Sequence, residues 1–395
     1  MSDISETSTP AITHDAMSFD KTCLLGLPFD CVSMAQAIAA IEHAIDSRSR
    51  CFLSTPNLNF AMTAQADPSF YQSVLDSDLS VADGMPLVWI SRLTGAGVLE
   101  RVAGSDLFAR LTEMPRVKKI RVFFFGGASG IAEKAHHALN THSPGAMSCG
   151  FYDPGFVDLD AMSKPEVIAL INEAEPDFIV VALGAKKGQA WIMQNRDSLN
   201  APVISHLGAV INFVAGEIER APAAWQKSGL EWLWRIVQEP ALWKRYVGDG
   251  AKAVWMLLSR ILPFLLYRQI CSWSGVSKTA FKIEVAEQDD RLSLSGALDR
   301  QGVRLLQREI DQCLAKRDGV TVTLDLQDLL YVDLFGLAYL LGLLGQTSGS
   351  VGHVQLLNPS VRFMRLARLA GIPAHFKITS HIQAERNRQG DKVVD

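Results

Sequence analysis

The chain has 395 residues, 48% of them hydrophobic and 20% charged, with a formal net charge of -4. It is too long for one ordinary domain, and its near charge balance without a basic tail excludes a general nucleic-acid binder. The six cysteines include no CxxC pair, so neither a disulfide framework nor a zinc site is indicated.

Residues 1–20 are polar and lack the basic-then-apolar order of a secretory signal. They are expected to form a disordered tail, and the protein is expected to stay inside the cell. From Lys21 to about Pro202, apolar runs alternate with helical patterns: "CFLSTPN", "IRVFFFGG" and "DFIVVALG" each precede a helix, and "PVISHLG" follows. This alternation predicts, over residues 21–215, an α/β core with a Rossmann-like, mostly parallel sheet and helices on both faces. Ligands of such sheets gather beyond the carboxyl ends of the strands, which singles out Thr55, Asn57, Asp83, Gly126, Gly127 and Gly184.

Asp83 stands in "SVADGMPLVW", and on these residues alone Asp-Gly is first of all a turn. The run "FFFGGASGIAEKAHHAL" places Gly126, Gly127 and Gly130 between a strand and a helix. It is either a nucleotide-diphosphate site or a tight turn, and its spacing does not support a dinucleotide site. The run "LGAKKGQAWI" lacks the closing Lys-Ser/Thr of a phosphate loop, which rejects an ATPase. Lys186 and Lys187 either touch a phosphate there or are simply solvated. His136 and His137 project about 100° apart on a helix, and no metal-ligand pattern occurs, so no metal or cofactor is expected.

Residues 216–271 read as a tryptophan-rich amphipathic appendage holding five of the eight tryptophans. Aromatic residues beside basic ones suit a bilayer interface, and they equally suit a helical cap packed on the sheet. The most apolar window, Ala253 to Tyr267, is shorter than the roughly 20 residues a membrane span takes. A linker at 272–280 then leads to a small α/β unit at 281–380, followed by a polar tail at 381–395.

The ordered series "TPN" (Thr55–Asn57), "ADG" (Ala82–Gly84), "ERVAGSDL" (Glu100–Leu107), "FFGG", "VALGAKKGQAWI", "FVAGEIERAP" (Phe213–Pro222) and "GLEWLWRIVQEPALWKRY" (Gly229–Tyr246) resembles the WecG/TagA/CpsF glycosyltransferases. The resemblance implies inverting transfer of a sugar, of the hexose or N-acetylmannosamine type, from a UDP-sugar to a polyprenyl-diphosphate-linked saccharide. Exopolysaccharide or cell-surface polysaccharide synthesis at the inner membrane face is the implied setting. Asp83 aligns with the family's presumed general base, a role that suits a carboxylate. Thr55 matches its active-site threonine, and Asn57 belongs to the same motif. Arg101, Gly104 and Asp106 match the motif that positions substrates or holds the pocket. Arg235 and Arg245 match arginines of the appendage, where guanidinium groups suit a diphosphate, and Arg220 matches the "RAP" motif with no role assigned to it. Gly126, Gly127, Gly130, Gly184 and Lys187 are the nucleotide-binding candidates.

Two departures stand out. Leu242 replaces an appendage arginine, with Lys244 nearby, and Gly188 takes the place of a glutamine implicated in the active site, with Gln189 one step along. Either Gln189 substitutes through a shifted helix start, or this subgroup handles its donor differently. The membrane-embedded acceptor implied by the resemblance turns Trp225–Tyr267 into a membrane-docking segment.

Phe281–Ile378 resembles a STAS domain through "VTLDLQDLLYVDLFGLAYLL" and "VQLLNPSVRFMRLARLAGI". Asp333-Leu334-Phe335-Gly336 carries no hydroxyl where that family places a phosphorylatable serine, so phosphorylation switching at this turn is not expected. Leu334 and Phe335 form either an exposed patch for a protein partner or core at a helix start. The whole therefore reads as a transferase with an interaction module; the alternative is a non-catalytic nucleotide-sugar-binding regulator acting through the STAS domain.

Overall fold

The computed structural model describes residues 19–218, 222, 225, 231–238, 250, 254–285, 291–316, 321–345 and 353–374. Arg220, Leu242, Lys244 and Arg245 lie outside the described residues, as do most of the expected N-terminal tail and all of the C-terminal one; for Arg235 the helix is described but not the side chain.

The chain opens with an antiparallel hairpin that the sequence reading did not find, β1 (Lys21–Leu24) and β2 (Leu27–Asp30). Its turn residues, Leu25 and Gly26, have φ of 54° and 83°, the positive pair that lets a two-residue turn follow the strand twist. Helix α1 (Met34–Ser47) leads to β3 (Cys51–Ser54), and α2 (Leu58–Ala66) with α3 (Pro68–Leu75) leads to β4 (Leu79–Ser80). Helices α4 (Met85–Thr94) and α5 (Gly104–Glu113) precede β5 (Ile120–Gly126). Then follow α6 (Ile131–His142), β6 (Ala146–Tyr152), α7 (Pro165–Glu173), β7 (Phe178–Ala182), α8 (Ala185–Asn195), β8 (Val203–His206) and α9 (Val210–Val214).

Strands β3 to β8 form one six-stranded sheet, ordered β4-β3-β8-β7-β5-β6, in which each neighbouring pair is parallel. The strands read as continuous apolar runs because helices cover both faces. Phe124, Val122 and Val180 pack toward Leu107 and Ala135, whereas the alternate residues Phe123, Phe125 and Val181 pack toward Ile168 and Trp191. Trp191 stacks on Phe125 with 4.1 Å between ring centroids and donates its Nε1–H to the carbonyl of Met162. The chain leaves β3 outward to β4 and leaves β5 outward to β6, so the connections part over β8 and β7. Sheets of this kind hold their ligands at such a parting.

Within the tryptophan-rich segment, α10 (Glu231–Gln238) brings Trp234 edge to face with Trp225 at 5.8 Å. Helix α11 runs Val254–Trp273, with Leu257–Ile261 wound as a π-helix. Among the described residues it is the one helix long and apolar enough to cross a membrane, longer than the apolar window visible in the sequence. Met256, Ile261, Phe264 and Cys271 are buried against the body of the protein, while Trp255, Leu258, Leu262, Leu266, Ile270 and Trp273 form an exposed row. The exposed positions recur every three or four residues and therefore line one side of the helix.

The second unit comprises β9 (Lys282–Val285), β10 (Arg291–Leu298), α12 (Arg300–Lys316), β11 (Thr321–Asp325), β12 (Leu329–Val332), α13 (Leu334–Gly345), β13 (His353–Leu357) and α14 (Val361–Ala370). Its sheet is ordered β12-β10-β11-β13 with parallel pairs, and β9 adds antiparallel to β10. This is the small α/β architecture expected of the C-terminal unit.

The two units share a core. Cys23, Leu24, Phe29, Phe70 and Leu87 belong to the same buried cluster as Leu324, Leu337, Leu341 and Leu366. Helix α13 is apolar around most of its circumference, as a helix must be when it lies between its own sheet and the β1–β2 hairpin. Gly26 and Gly371 touch through their backbones, and Gln65 Nε2 donates to the carbonyl of Gly371 at 2.7 Å. A narrow apolar cavity lined by Cys23, Leu25, Arg260, Phe264, Leu334 and Leu369 marks the line where core, appendage and second unit meet.

This arrangement decides the position of Leu334 and Phe335. Leu334 is buried in the shared cluster, and Phe335 packs on Gly97 beneath the guanidinium of Arg300, which lies 4.0 Å from its ring centroid. The pair is therefore not an open patch for another protein, because the chain's own N-terminal unit covers it.

Candidate active site at the carboxyl edge of the sheet

The loops that follow β3 and β4 meet the loop that leads into α5, and backbone hydrogen bonds hold the three together. Val81 N donates to Ser54 O at 3.0 Å, Asp83 N to Pro56 O at 2.9 Å, and Val102 N to Ala82 O at 2.9 Å. Asp83 is thereby held beside the Thr55-Pro56-Asn57 turn, half-buried, with Gly84 turning the chain at φ 128° into the uncapped start of α4. Asp83 is a turn residue by position, and the same position puts a carboxylate at the edge where ligands collect.

Thr55 is buried, and Asn57 caps α2, its Oδ1 accepting from Phe60 N at 3.1 Å. Gly104, the first residue of α5, descends onto Thr55. A Cβ there would stand 2.5 Å from Leu207 Cδ2 and 3.4 Å from Thr55 Oγ1, so only glycine lets α5 come this close. Arg101 and Asp106 form an ion pair across the start of that helix, with both side chains largely buried.

Gln189 points into the same region from α8. It is buried, donates Nε2–H to Ser54 Oγ at 3.0 Å, and leaves its Oε1 without a hydrogen-bond partner. Ser54 Oγ in turn lies 2.6 Å from Ser77 Oγ. Gly188 owes its lack of a side chain to His206, the last residue of β8. A Cβ at position 188 would stand 2.3 Å from His206 Cδ2 and 3.3 Å from its Nε2. The residue keeps an edge at the surface, yet its Nε2 is closed off and unpartnered, and burial pushes the imidazole pKa down to about 4. The sequence reading passed over His206, whose one signal was a polar ring closing the otherwise apolar run "PVISHLG".

The glycines expected to hold a nucleotide divide into two groups. Gly126 and Gly127, at φ 90° and 103°, serve close packing: a Cβ on Gly126 would meet Ala182 O at 2.9 Å, and Gly127 N already donates to that carbonyl at 2.8 Å. Gly130 (φ 77°) and Gly184 (φ 78°) open α6 and α8 with free space around them, so their helix starts are the ones an anion can approach. Lys187 Nζ is bonded to the carbonyl of Val157, and Lys186 is paired with Asp67 at 2.5 Å. No group of three or more His, Cys, Asp or Glu side chains capable of holding a metal occurs among the described residues.

The edge therefore offers a carboxylate, a buried hydroxyl, an arginine held by an acid, and two unsatisfied polar atoms, on a sheet with helix starts nearby. Residues 22–264 match the Glycosyl transferase WecG/TagA/CpsF family, and residues 281–377 match the family described as Mlab, STAS domain. The chain is 32% identical over 202 residues to an N-acetylglucosaminyldiphosphoundecaprenol N-acetyl-beta-D-mannosaminyltransferase of Bacillus spizizenii, covering 51% of this chain and 76% of that protein. Proteins of the same name from Bacillus subtilis and Staphylococcus aureus are each 28% identical, over 216 and 230 residues. The alignments cover 55% and 57% of this chain and 82% and 86% of theirs. With more than half of its length matched and Thr55, Asp83 and Arg101 gathered at one sheet edge, the chain belongs to the WecG/TagA/CpsF glycosyltransferase family and carries a STAS domain on its C-terminal side.

Proposed function

We propose that the chain is an inverting transferase that moves a sugar of the N-acetylmannosamine or hexose type from a UDP-sugar to a polyprenyl-diphosphate-linked saccharide, in the synthesis of a cell-surface polymer or exopolysaccharide. The observation that carries this reading is the backbone stitching of Asp83 to the Thr55-Pro56-Asn57 turn, which fixes a carboxylate at the ligand edge of the sheet. The relatives' names supply the acceptor class, a saccharide on diphosphoundecaprenol, and one donor sugar.

In this reading, Asp83 takes the proton of the acceptor hydroxyl as its oxygen attacks the anomeric carbon; the bond to the diphosphate breaks, and UDP leaves with the electron pair. The Arg101–Asp106 pair holds the loop behind it, and the diphosphate charge is assigned to Arg235 and Arg245 of the appendage on the family resemblance alone. No metal is assigned a part. The exposed row on α11 meets the membrane surface: its opposite side is anchored in the protein, so the helix lies in the headgroup plane and brings the edge of the sheet to a lipid-borne acceptor.

The test is UDP release from a panel of UDP-sugars, with and without a lipid-diphosphate-saccharide acceptor. Acceptor-dependent release by wild type, reduced about 10²–10⁴-fold in Asp83→Asn, is the expected result. Binding of UDP-sugar with no turnover on any natural acceptor would replace this reading with that of a nucleotide-sugar-binding regulator.

A further inference from the structure

Gly188 and His206 form a matched pair: the imidazole occupies the volume in which a side chain at position 188 would begin. Two glycines flank the ring nitrogen, since a Cβ on Gly208 would stand 3.2 Å from Nε2, and Phe60 lies with its ring centroid 6.4 Å from that of His206. The ring is thus sheathed on several sides by groups that offer Nε2 no hydrogen bond. On the neighbouring strand, β8 runs in parallel register with β3, Leu53 beside Ser205, which brings His206 level with Ser54 and one residue short of Thr55. Ser54 in turn holds Gln189, whose Oε1 is also unpartnered.

Two buried, unsatisfied polar atoms, one at the end of β8 and one in the second turn of α8, are costly unless something completes them. Both belong to the ligand edge of the sheet, and one is an acceptor. We propose that His206, together with Gln189, binds the sugar ring of the donor and sets which sugar is accepted, the imidazole standing in the space that a side chain at 188 would otherwise take. The chemistry of the pair, an amide carbonyl oxygen and an imidazole nitrogen, suits a hydroxyl or acetamido group. It does not suit a diphosphate, because Gln189 offers its carbonyl oxygen, which repels phosphate, and the imidazole stays neutral at cellular pH in so desolvated a place. The inference rests on the transferase reading above and deepens it at the donor end.

The experiment compares full-length wild type, His206→Asn, Gly188→Gln and the double variant Gly188→Gln/His206→Gly, using calorimetric binding of a UDP-sugar panel, UDP binding alone, acceptor-dependent UDP release and thermal melting. His206→Asn is expected to raise the KM for the preferred UDP-sugar at least 10-fold, to leave UDP affinity within twofold, and to change the ranking of sugars. Gly188→Gln alone is expected to lower the melting temperature, because the new side chain starts inside the ring. The double variant is expected to recover that temperature while keeping an altered sugar ranking, which a merely structural role for His206 would not produce. An unchanged KM and ranking in His206→Asn, or a double variant with wild-type ranking, overturns the proposal. A wild type that turns over no UDP-sugar but binds some of them sinks the transferase reading, and the binding ratios still decide this inference; a wild type that binds none overturns both.

Discussion

Arg101 and Asp106 are bonded to each other across the first turn of α5, the helix whose opening glycine rests on Thr55. The arginine is thereby oriented by an acid five residues later in the chain, and the pair ties the "ERVAGSDL" loop to the helix that closes on the site. Asp106→Asn keeps the shape and removes the charge. It is expected to lower stability by about 1.5–3 kcal/mol, the range for a hydrogen bond to a charged group, and to reduce turnover about 10-fold with KM for both substrates raised. Urea denaturation beside steady-state kinetics checks both; full activity in Asp106→Asn would show the pair to be dispensable.

His206 makes acid stability informative. The folded imidazole titrates near 4 because burial disfavours its charge, whereas the unfolded residue titrates near 6.5. Between these values the unfolded chain binds the proton and the folded chain does not, so stability falls as pH drops from 6.5 to 4, by up to about 3 kcal/mol. Asp333 works in the opposite sense: burial raises its carboxyl to about 6 from an ordinary 3.8, so the folded chain takes up a proton first and gains stability as pH falls through 6. The difference between wild type and His206→Asn isolates the histidine. Denaturation midpoints measured from pH 7 to pH 4.5 are expected to converge on or cross those of the variant as the pH falls; parallel curves would contradict the buried neutral imidazole.

Contact between Gly26 and Gly371 is equally exposed to test. A Cβ on Gly26 would stand 2.1 Å from Gly371 O, and both residues have positive φ, 83° and 99°. Gly26→Ala is expected to destabilise the chain by at least about 1–3 kcal/mol through overpacking at a position with no room to yield. Because the core is shared, fluorescence of the N-terminal unit and of a probe on α14 should report one transition. Two transitions in wild type would refute a joint core.

Removal of the second unit follows the same logic. A chain ending at residue 280 exposes Leu24, Leu25 and Phe29 along with the apolar side of the hairpin. It is expected to aggregate or to bind a hydrophobic dye, and supplying residues 281–395 in trans should reduce that binding. A monomeric, fully active truncation would show that the interface contributes little.

The parallel sheet was legible because strands buried on both faces cannot hide: "VFFF" and "FIVVA" have no polar face. Thr55, Asn57 and Asp83 were legible as positions, since each follows a strand, and the strand-end rule needs no knowledge of the partner strands. The pairing of Gly188 with His206 was not, because a glycine in sequence looks the same whether it serves a turn, a ligand or a neighbouring ring. Nor was the packing of Gly126 and Gly127, which fit a phosphate loop in sequence and lie against β7 in the fold. The shared core was invisible for a further reason: Leu334 and Leu337 fit the pattern of any buried helix, and nothing local tells which surface buries them. The hairpin had a readable signal, apolar alternation around Leu25-Gly26 in "TCLLGLPFD", but leucine is an unusual first residue for a turn that needs positive φ.

The hairpin at the start of the chain is covered by helices near its end. At a synthesis rate of about 5–20 residues per second, roughly 20–70 s separate the emergence of Gly26 from that of Gly371. Throughout that interval the apolar face of β1 and β2 has no permanent cover. The later of the two units to leave the ribosome is thus what seals the earlier, and a nascent chain halted before α14 is a client for whatever in the cell holds unfinished proteins apart.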